Sequence, residues 1–251
     1  MTLPRAATLV LAAVLALGAT GCPPTTMLQH FRVYEVERVP VEERVRLTDQ
    51  LDPAGKEAQL VMLSHFANPT RKVHSGHTAG IDRPDEHFNW YVLEQTQPEP
   101  RRTVRLENQF GQQSIDIREP RFLLVPAQKT SHEGSRFPES LDHYKCYRVV
   151  RINTVPTLPA VTLGDQFGSQ QNVQVMDPVL FCIPALKERE GEEPKPIGNA
   201  RDHLTVYELT PMPQPQSITS RDQFGERPLN VRRSVWLAVP TEKEVVVAHE
   251  N

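Results

Sequence analysis

Short apolar runs recur along the chain, and several of them alternate with polar residues. Val173 and Val175 flank Gln174, and Val161 and Leu163 repeat the spacing. A period of two is typical of strands that bury one face. Prolines stand between the runs and disfavour long helices. The pattern therefore predicts an all-β chain, and in one stretch it predicts separate strands at 143–152, 160–167, 171–175 and 179–186.

Three landmarks recur in a fixed order, which indicates an internal repeat. The first is a histidine followed four residues later by a tyrosine: His30 and Tyr34, His87 and Tyr91, His143 and Tyr147, His203 and Tyr207. The second is an Asn/Asp-Gln-Phe-Gly turn that begins at Asn108, Asp165 and Asp222. The third is a Pro-x-x-Lys that ends at Lys72, Lys129, Lys187 and Lys243. In the first copy the turn has diverged to Asp49-Gln50-Leu51-Asp52.

The landmarks divide the chain into four units. Their ranges are 30–72 (the degenerate unit 1), 87–129 (unit 2), 143–187 (unit 3) and 203–243 (unit 4). The connectors between them are polar and rich in turn residues, so we expect exposed loops without further elements. A unit of about 43 residues is too small to bury a sufficient core alone. The units must pack together, as paired sandwiches or barrels or as a propeller-like ring.

The residues of the turn have a plain physical account. An Asp side chain bonds to the backbone two residues on, Gly tolerates a positive φ, and we expect the Phe to tuck back into the core. The two turns that keep all of these residues contain Asp165, Phe167 and Gly168, and Asp222, Phe224 and Gly225.

The start of the chain has the layout of a bacterial export signal, with a positive residue before an apolar run. Residues 1–21 are predicted to be a signal peptide. Ala19 to Cys22 resembles a lipobox, in which the cysteine thiol receives a diacylglycerol. Ala19 replaces the usual leucine, and ordinary signal peptidase could cut at the same bond, so the cut and the lipid are separate predictions. Residues 22–29 would form the tether behind a lipid on Cys22.

Composition narrows the classes of function. The 28 Lys and Arg nearly balance the 31 Asp and Glu, and no basic stripe appears, so we expect no nucleic-acid partner. Nothing in the mature part is long and apolar enough to span a bilayer. The 23 prolines accord with many short strands.

Two cysteines remain besides Cys22. Cys146 and Cys182 both fall in unit 3, and an even pair in an exported chain predicts a disulfide. Aligning the landmarks puts apolar residues at the equivalent positions of the other units. The pairs predicted to touch in the same way are Val33 with Ala67, Trp90 with Leu124, and Val206 with Ala238.

The segments HYKCY, LGDQFG and VLFCIPALK of unit 3 carry a resemblance. The chain resembles a repeated domain of unknown function found in secreted and cell-surface proteins of myxobacteria and related bacteria. Unit 3 matches best, units 2 and 4 lack the cysteines, and unit 1 keeps less. The resemblance implies an extracytoplasmic module and transfers no catalytic residue.

The recurring histidines are candidates for metal or acid–base sites, but no second ligand recurs beside them. We expect them instead to bond to the backbone at a strand start or to cap a turn. His74 and His77, with His65 nearby, are weak metal candidates. Lone turn acids offer too few oxygens for Ca²⁺. No metal or other cofactor is therefore predicted.

No nucleophile, zinc-protease or nucleotide motif appears, so the chain is not predicted to be an enzyme. The predicted function is a non-enzymatic lipoprotein of the cell envelope, on the outer rather than the inner membrane. It would be a structural or binding module for an envelope protein or polysaccharide. The alternative is an envelope hydrolase or a metal-binding protein that uses the recurring histidines.

Overall fold

The computed structural model describes residues 28–94, 99–131 and 134–249. The predicted signal peptide, Cys22 and most of the tether lie outside these ranges. Within them no helix is long and apolar enough to cross a membrane. The strands are β1 (Phe31–Thr48), β2 (Lys56–Pro69), β3 (Arg71–His74), β4 (His77–Ala79), β5 (His87–Leu93), β6 (Arg102–Asn108), β7 (Gly111–Lys129), β8 (His143–Thr154), β9 (Ala160–Asp165), β10 (Gly168–Glu188), β11 (His203–Asp222) and β12 (Gly225–Ala248). The all-β prediction is confirmed.

Eight strands form a closed antiparallel ring. Their order is β1, β2, β5, β7, β8, β10, β11 and β12, and β12 pairs with β1 to close it. Each of the four predicted units supplies two neighbouring strands. The units thus pack together as predicted, and the arrangement that the sequence left open is a single ring.

The inside of the ring is the main apolar core, and every strand of the ring contributes to it. Because side chains alternate along a strand, the first and third residues after each landmark histidine point inward. These inward residues are Phe31 and Val33, Phe88 and Trp90, Tyr144 and Cys146, and Leu204 and Val206. All are at most 1% exposed, so the ring is filled by side chains.

Outside the ring, each unit extends a hairpin that we call its arm. The arms are arm 1 (43–60), arm 2 (102–117), arm 3 (160–175) and arm 4 (216–231), and each has the landmark turn at its tip. Arm 2 packs on Tyr147, Phe181 and Ile183 of unit 3. Arm 3 packs on Tyr207, Leu209 and Leu237 of unit 4. Arms 1 and 4 share a cluster with the outer faces of units 1 and 2.

The predicted division of unit 3 into strands was wrong in one respect. The segments 171–175 and 179–186 belong to one strand, β10, which passes from arm into ring. Register shifts lie on both sides of Pro178, where the strand bends. Similar shifts adjoin Pro40, Pro120 and Pro213. A bulge lets a strand bend and accommodates a proline, so these residues bend the strands instead of ending them.

The connector after unit 1 was wrongly predicted to lack further elements. Strands β3 and β4 form a short hairpin there, and β3 also pairs with β9 of arm 3. Its turn residues, Ser75 and Gly76, both have positive φ. That geometry matches a two-residue hairpin turn whose twist suits the strands.

Candidate functional site

The turn at each arm tip is built as the sequence predicts. One carboxylate oxygen of Asp165 accepts the backbone N–H of Phe167 at 2.7 Å, and Asp222 accepts that of Phe224 at 2.7 Å. Gly168 and Gly225 have φ of 132° and 115°. Asn108 makes the equivalent bond in arm 2, and Asp49 holds the diverged turn of arm 1.

The second oxygen of the turn acid accepts a hydrogen bond from a tyrosine two units away, either earlier or later in the chain. Tyr34 donates to Asp165 at 2.5 Å, Tyr91 to Asp222 at 2.6 Å, and Tyr147 to Asp49 at 2.7 Å. In the fourth case Asn108 donates to the Tyr207 hydroxyl at 2.8 Å. Each landmark tyrosine thus fastens the arm of another unit against the ring.

The same tip also contacts the unit that precedes its own. Lys72 lies over the Phe110 ring at 4.6 Å, Lys129 over Phe167 at 5.3 Å, and Lys187 over Phe224 at 5.5 Å. The phenylalanine does not enter the ring core but packs between this lysine and the tyrosine. Tyr34 and Phe167 meet edge to face at 4.9 Å. We call one such set of turn, tyrosine, lysine and neighbouring histidine a clasp.

The electrostatics of the clasps differ with the turn residue. Burial and the adjacent carboxylate raise the pKa of Tyr34 and Tyr91 far above the usual range. Burial raises the pKa of Tyr207 to about 12, and its neutral partners Asn108 and Gln113 lower it in part. Each of these hydroxyls therefore keeps its proton at neutral pH.

The recurring histidines are buried beside the clasp lysines. Burial, and secondarily the lysine of the same unit, lower the pKa to about 3 for His30, His87 and His143 and to about 4 for His203. The His203 ring stacks on Phe181 at 5.6 Å, and its Nδ1 donates to the Arg201 carbonyl at 2.8 Å. The imidazoles are therefore neutral at pH 7, and each belongs to a separate clasp.

Cys146 and Cys182 form the predicted disulfide, which is confirmed. They are register partners across β8 and β10. The aligned apolar pairs of the other units are register partners as well: Val33 with Ala67, Trp90 with Leu124, and Val206 with Ala238. Every unit thus has one cross-strand pair at this level of the ring core.

The mouth of the ring, at its histidine end, is a site that the sequence analysis missed. The residue before each landmark histidine is polar and buried: Gln29, Glu86, Asp142 and Asp202. A cavity of about 230 Å³ lies there, with Tyr144 and Leu141 among its lining residues. Burial and the three carboxylates raise the pKa of Tyr144 well above its usual value. The recurrence of a polar residue before each histidine was the available signal.

The carboxylates at the mouth have structural partners. Glu86 forms an ion pair with Arg83 at 2.6 Å and accepts the Ser140 hydroxyl at 2.9 Å. Asp142 accepts the backbone N–H groups of Gly198 and Asn199 at 2.8 and 3.0 Å. The mouth is therefore preorganised by connectors from different units.

A family described as a repeat of unknown function (DUF7450) matches residues 87–240, more than half of the chain. The chain belongs to this family. The DUF7450 match begins at His87, the first landmark of unit 2, and runs into unit 4. No curated protein and no solved structure matches the chain.

The three candidate metal ligands near unit 1 of this DUF7450 chain do not converge. His65 stacks on Trp236 at 4.3 Å, and burial lowers its pKa to about 3. His74 and His77 are register partners across β3 and β4. Within the described ranges no three His, Cys, Asp or Glu residues are grouped as metal ligands. Metal titration of the purified protein tests the pair that remains, His74 and His77.

Proposed function

We propose that the protein is a non-enzymatic module of the bacterial cell envelope, anchored by a lipid on Cys22 and binding an envelope protein or polysaccharide. The use of the recurring polar groups carries this proposal. The landmark tyrosines and turn acids bond to one another, and the histidines and three of the four lysines are buried beside them. These groups make structural contacts between the units, as expected of a non-enzymatic scaffold.

The place of the protein in the cell rests on its sequence. The export signal and the lipobox support an anchored lipoprotein, on the outer rather than the inner membrane. The resemblance to repeated domains of myxobacterial surface proteins supports the same compartment. The predicted tether is short, so the ring would lie close to the bilayer surface. Stable anchoring needs more than one acyl chain, and the cysteine of a lipoprotein carries several.

The mouth and its connectors are the surface that we assign to the partner. Because the ring is closed, each ring strand has a paired neighbour on both sides within the ring, so we do not assign the partner to a strand edge of the ring. The cavity at the mouth combines apolar side chains with oriented carboxylates, as binding sites commonly do. The connectors around it differ in sequence among the units, which suits recognition of an asymmetric partner.

The alternative function, a hydrolase or metal-binding protein that uses the recurring histidines, would need them in one pocket. His87, His143 and His203 occupy separate clasps on different strands of the ring. A catalytic site instead gathers unlike groups within reach of one substrate. Within the part of the chain that the structure describes, these histidines are not grouped with one another or with other potential metal ligands.

Cell fractionation of the wild type and of Cys22→Ser tests the anchor. Wild-type protein is expected in the membrane pellet, and the variant in the soluble envelope fraction. A variant that remains membrane-bound after a high-salt wash would contradict the lipid anchor.

Co-sedimentation with purified envelope polysaccharide tests the mouth. Asp142→Asn is expected to weaken binding, because Asp142 orients the backbone of the connector at Gly198 and Asn199. Asp116→Asn is the matched control, since Asp116 is also buried and also accepts two hydrogen bonds, from the side chains of Thr103 and Asn153, but lies on arm 2. Equal binding by both variants would remove the mouth from the proposal.

A further inference from the structure

The four clasp lysines have different carboxylate environments. Nearby carboxylates raise the pKa of three of them and so offset the lowering by burial. For Lys129 they are Asp165 and Asp85, for Lys187 they are Glu192 and Asp222, and for Lys243 the carboxylate is Asp49. Lys187 also forms an ion pair with Glu192 at 2.9 Å. In each of these clasps the turn acid at the arm tip is one of the balancing charges.

Lys72 is the exception. The arm tip that contacts it carries Asn108, where the other three tips carry an aspartate. Lys72 is only 2% exposed, and burial alone lowers its pKa to about 8. Within the described ranges no ion pair is formed by its ammonium group, which instead lies over the Phe110 ring at 4.6 Å. A buried ammonium without a balancing carboxylate is costly.

Lys72 also lines a cavity. The cavity has a volume of about 380 Å³ and is lined by Lys72, His74, His77, Thr78, Ala79 and Gln109. Strands β3 and β4, which the other units lack among the described residues, form one wall. Burial, Lys72 and His77 together lower the pKa of His74. The cavity therefore gathers basic groups and hydrogen-bond donors, and its lining contains no carboxylate.

We propose that this cavity binds one anionic group, a carboxylate or a phosphate, with Lys72 as its counter-charge and His77, Thr78 and Gln109 as donors at its rim. The bound anion takes the electrostatic role that the turn aspartates have in the other three clasps. This site is separate from the mouth of the ring, and the proposal does not depend on the function assigned there. A terminal uronic acid and a phosphoryl substituent share the required chemistry.

The binding test uses the exported chain carrying Cys22→Ser, titrated separately with inorganic phosphate and with glucuronate. The His74 and His77 ring C–H signals are followed by NMR. Saturable shifts with a Kd of about 1 mM or tighter are expected for at least one probe. The probe that binds more tightly identifies phosphate or carboxylate as the preferred group. Shifts that fail to saturate with either probe overturn the proposal.

Three variants make the test specific to Lys72. Lys72→Met is expected to abolish the saturable shifts, whereas Lys129→Met, at the equivalent position of unit 2, is expected to retain them. Asn108→Asp restores the residue of the other three tips and supplies an internal carboxylate. It is expected to weaken anion binding at least about tenfold, because the free energy of one charge-assisted hydrogen bond corresponds to about that change in Kd.

Asn108→Asp keeps the proposal testable if Lys72→Met fails to fold, because an aspartate already occupies the same turn position in the other three clasps. Circular dichroism checks that each variant keeps its strands. Wild-type affinity in folded Asn108→Asp, or in folded Lys72→Met, would show that the anion binds elsewhere and would overturn the assignment.

Discussion

The inner and outer faces of the ring follow different rules. At the inner cross-strand position the four units carry Cys with Cys, Trp with Leu, and twice Val with Ala. On the outer face the histidine, the tyrosine and the lysine are the same in all four units. The core requires apolar volume, which many residues supply, whereas a clasp requires particular atoms at particular distances. The repeat is therefore defined by its polar outer contacts more than by its core.

Lowering the pH should have the largest effect on stability, because the titrating landmark histidines lie on the outer face of the ring. The folded pKa values of the landmark histidines are about 3 to 4, and the unfolded values are about 6.5. Between these limits the unfolded chain binds more protons, so the free energy of unfolding falls as pH falls through 6.5. Each histidine contributes a loss of about 2 kcal/mol between pH 7 and pH 5, measurable as a lower urea midpoint.

The raised pKa of Asp165 and of Asp222 acts in the opposite direction and reduces the total. His87→Gln is the control, because it removes one outer titrating group. Its stability should depend on pH less steeply than that of the wild type, by about one proton. An unchanged slope would mean that the outer histidines do not set the response to acid.

Trp90→Ala probes the volume requirement of the inner face. Trp90 is fully buried and packs against Leu124, Phe122 and Trp236. Truncation should reduce the free energy of unfolding by about 3–5 kcal/mol through lost burial and a cavity. Val206→Ala, at the equivalent position of unit 4, removes less volume and should cost about 2 kcal/mol. Urea unfolding followed by circular dichroism compares the two, and equal losses would contradict the volume rule.

Replacing the disulfide by the pair that units 1 and 4 use tests whether the inner position tolerates exchange. The double variant Cys146→Val, Cys182→Ala should keep the ring and lose about 3 kcal/mol, since the link closes a long loop. A reducing agent should lower the urea midpoint of the wild type and leave the variant unchanged. A variant without strand signal would show that unit 3 needs the covalent link to fold.

Tyrosine-to-phenylalanine changes give the smallest expected effect. Tyr91 donates to the buried carboxylate of Asp222, so Tyr91→Phe should cost about 2 kcal/mol. Tyr207 has the neutral partners Asn108 and Gln113, so Tyr207→Phe should cost about 1 kcal/mol. Chemical denaturation of both variants measures the difference. The reverse ranking would mean that the charge of the turn residue does not govern the strength of a clasp.

The sequence predicts the local parts of this fold well. The period of two, the turn residues and the aligned cysteine positions depend on neighbouring residues or on a strict repeat. The assignment of arms to units does not, because the four tyrosines and turn residues are nearly alike and any could pair with any. In the structure Tyr34 meets Asp165, whose arm packs on unit 4, and not the turn acid of its own unit. The same reason hides Phe110 as the partner of Lys72, since Lys72 contacts the arm of the next unit.

The contacts between each arm tip and a distant unit have a consequence for folding. The clasp bonds join residues 131, 131, 98 and 99 positions apart, and the ring closes only when β12 reaches β1. In a linear repeat array each unit contacts only its neighbours and folding can spread from any point. Here no unit can complete its contacts before the last one is made. High contact order of this kind predicts slow, highly cooperative folding, and a chain shortened by one unit would lose the whole closed structure.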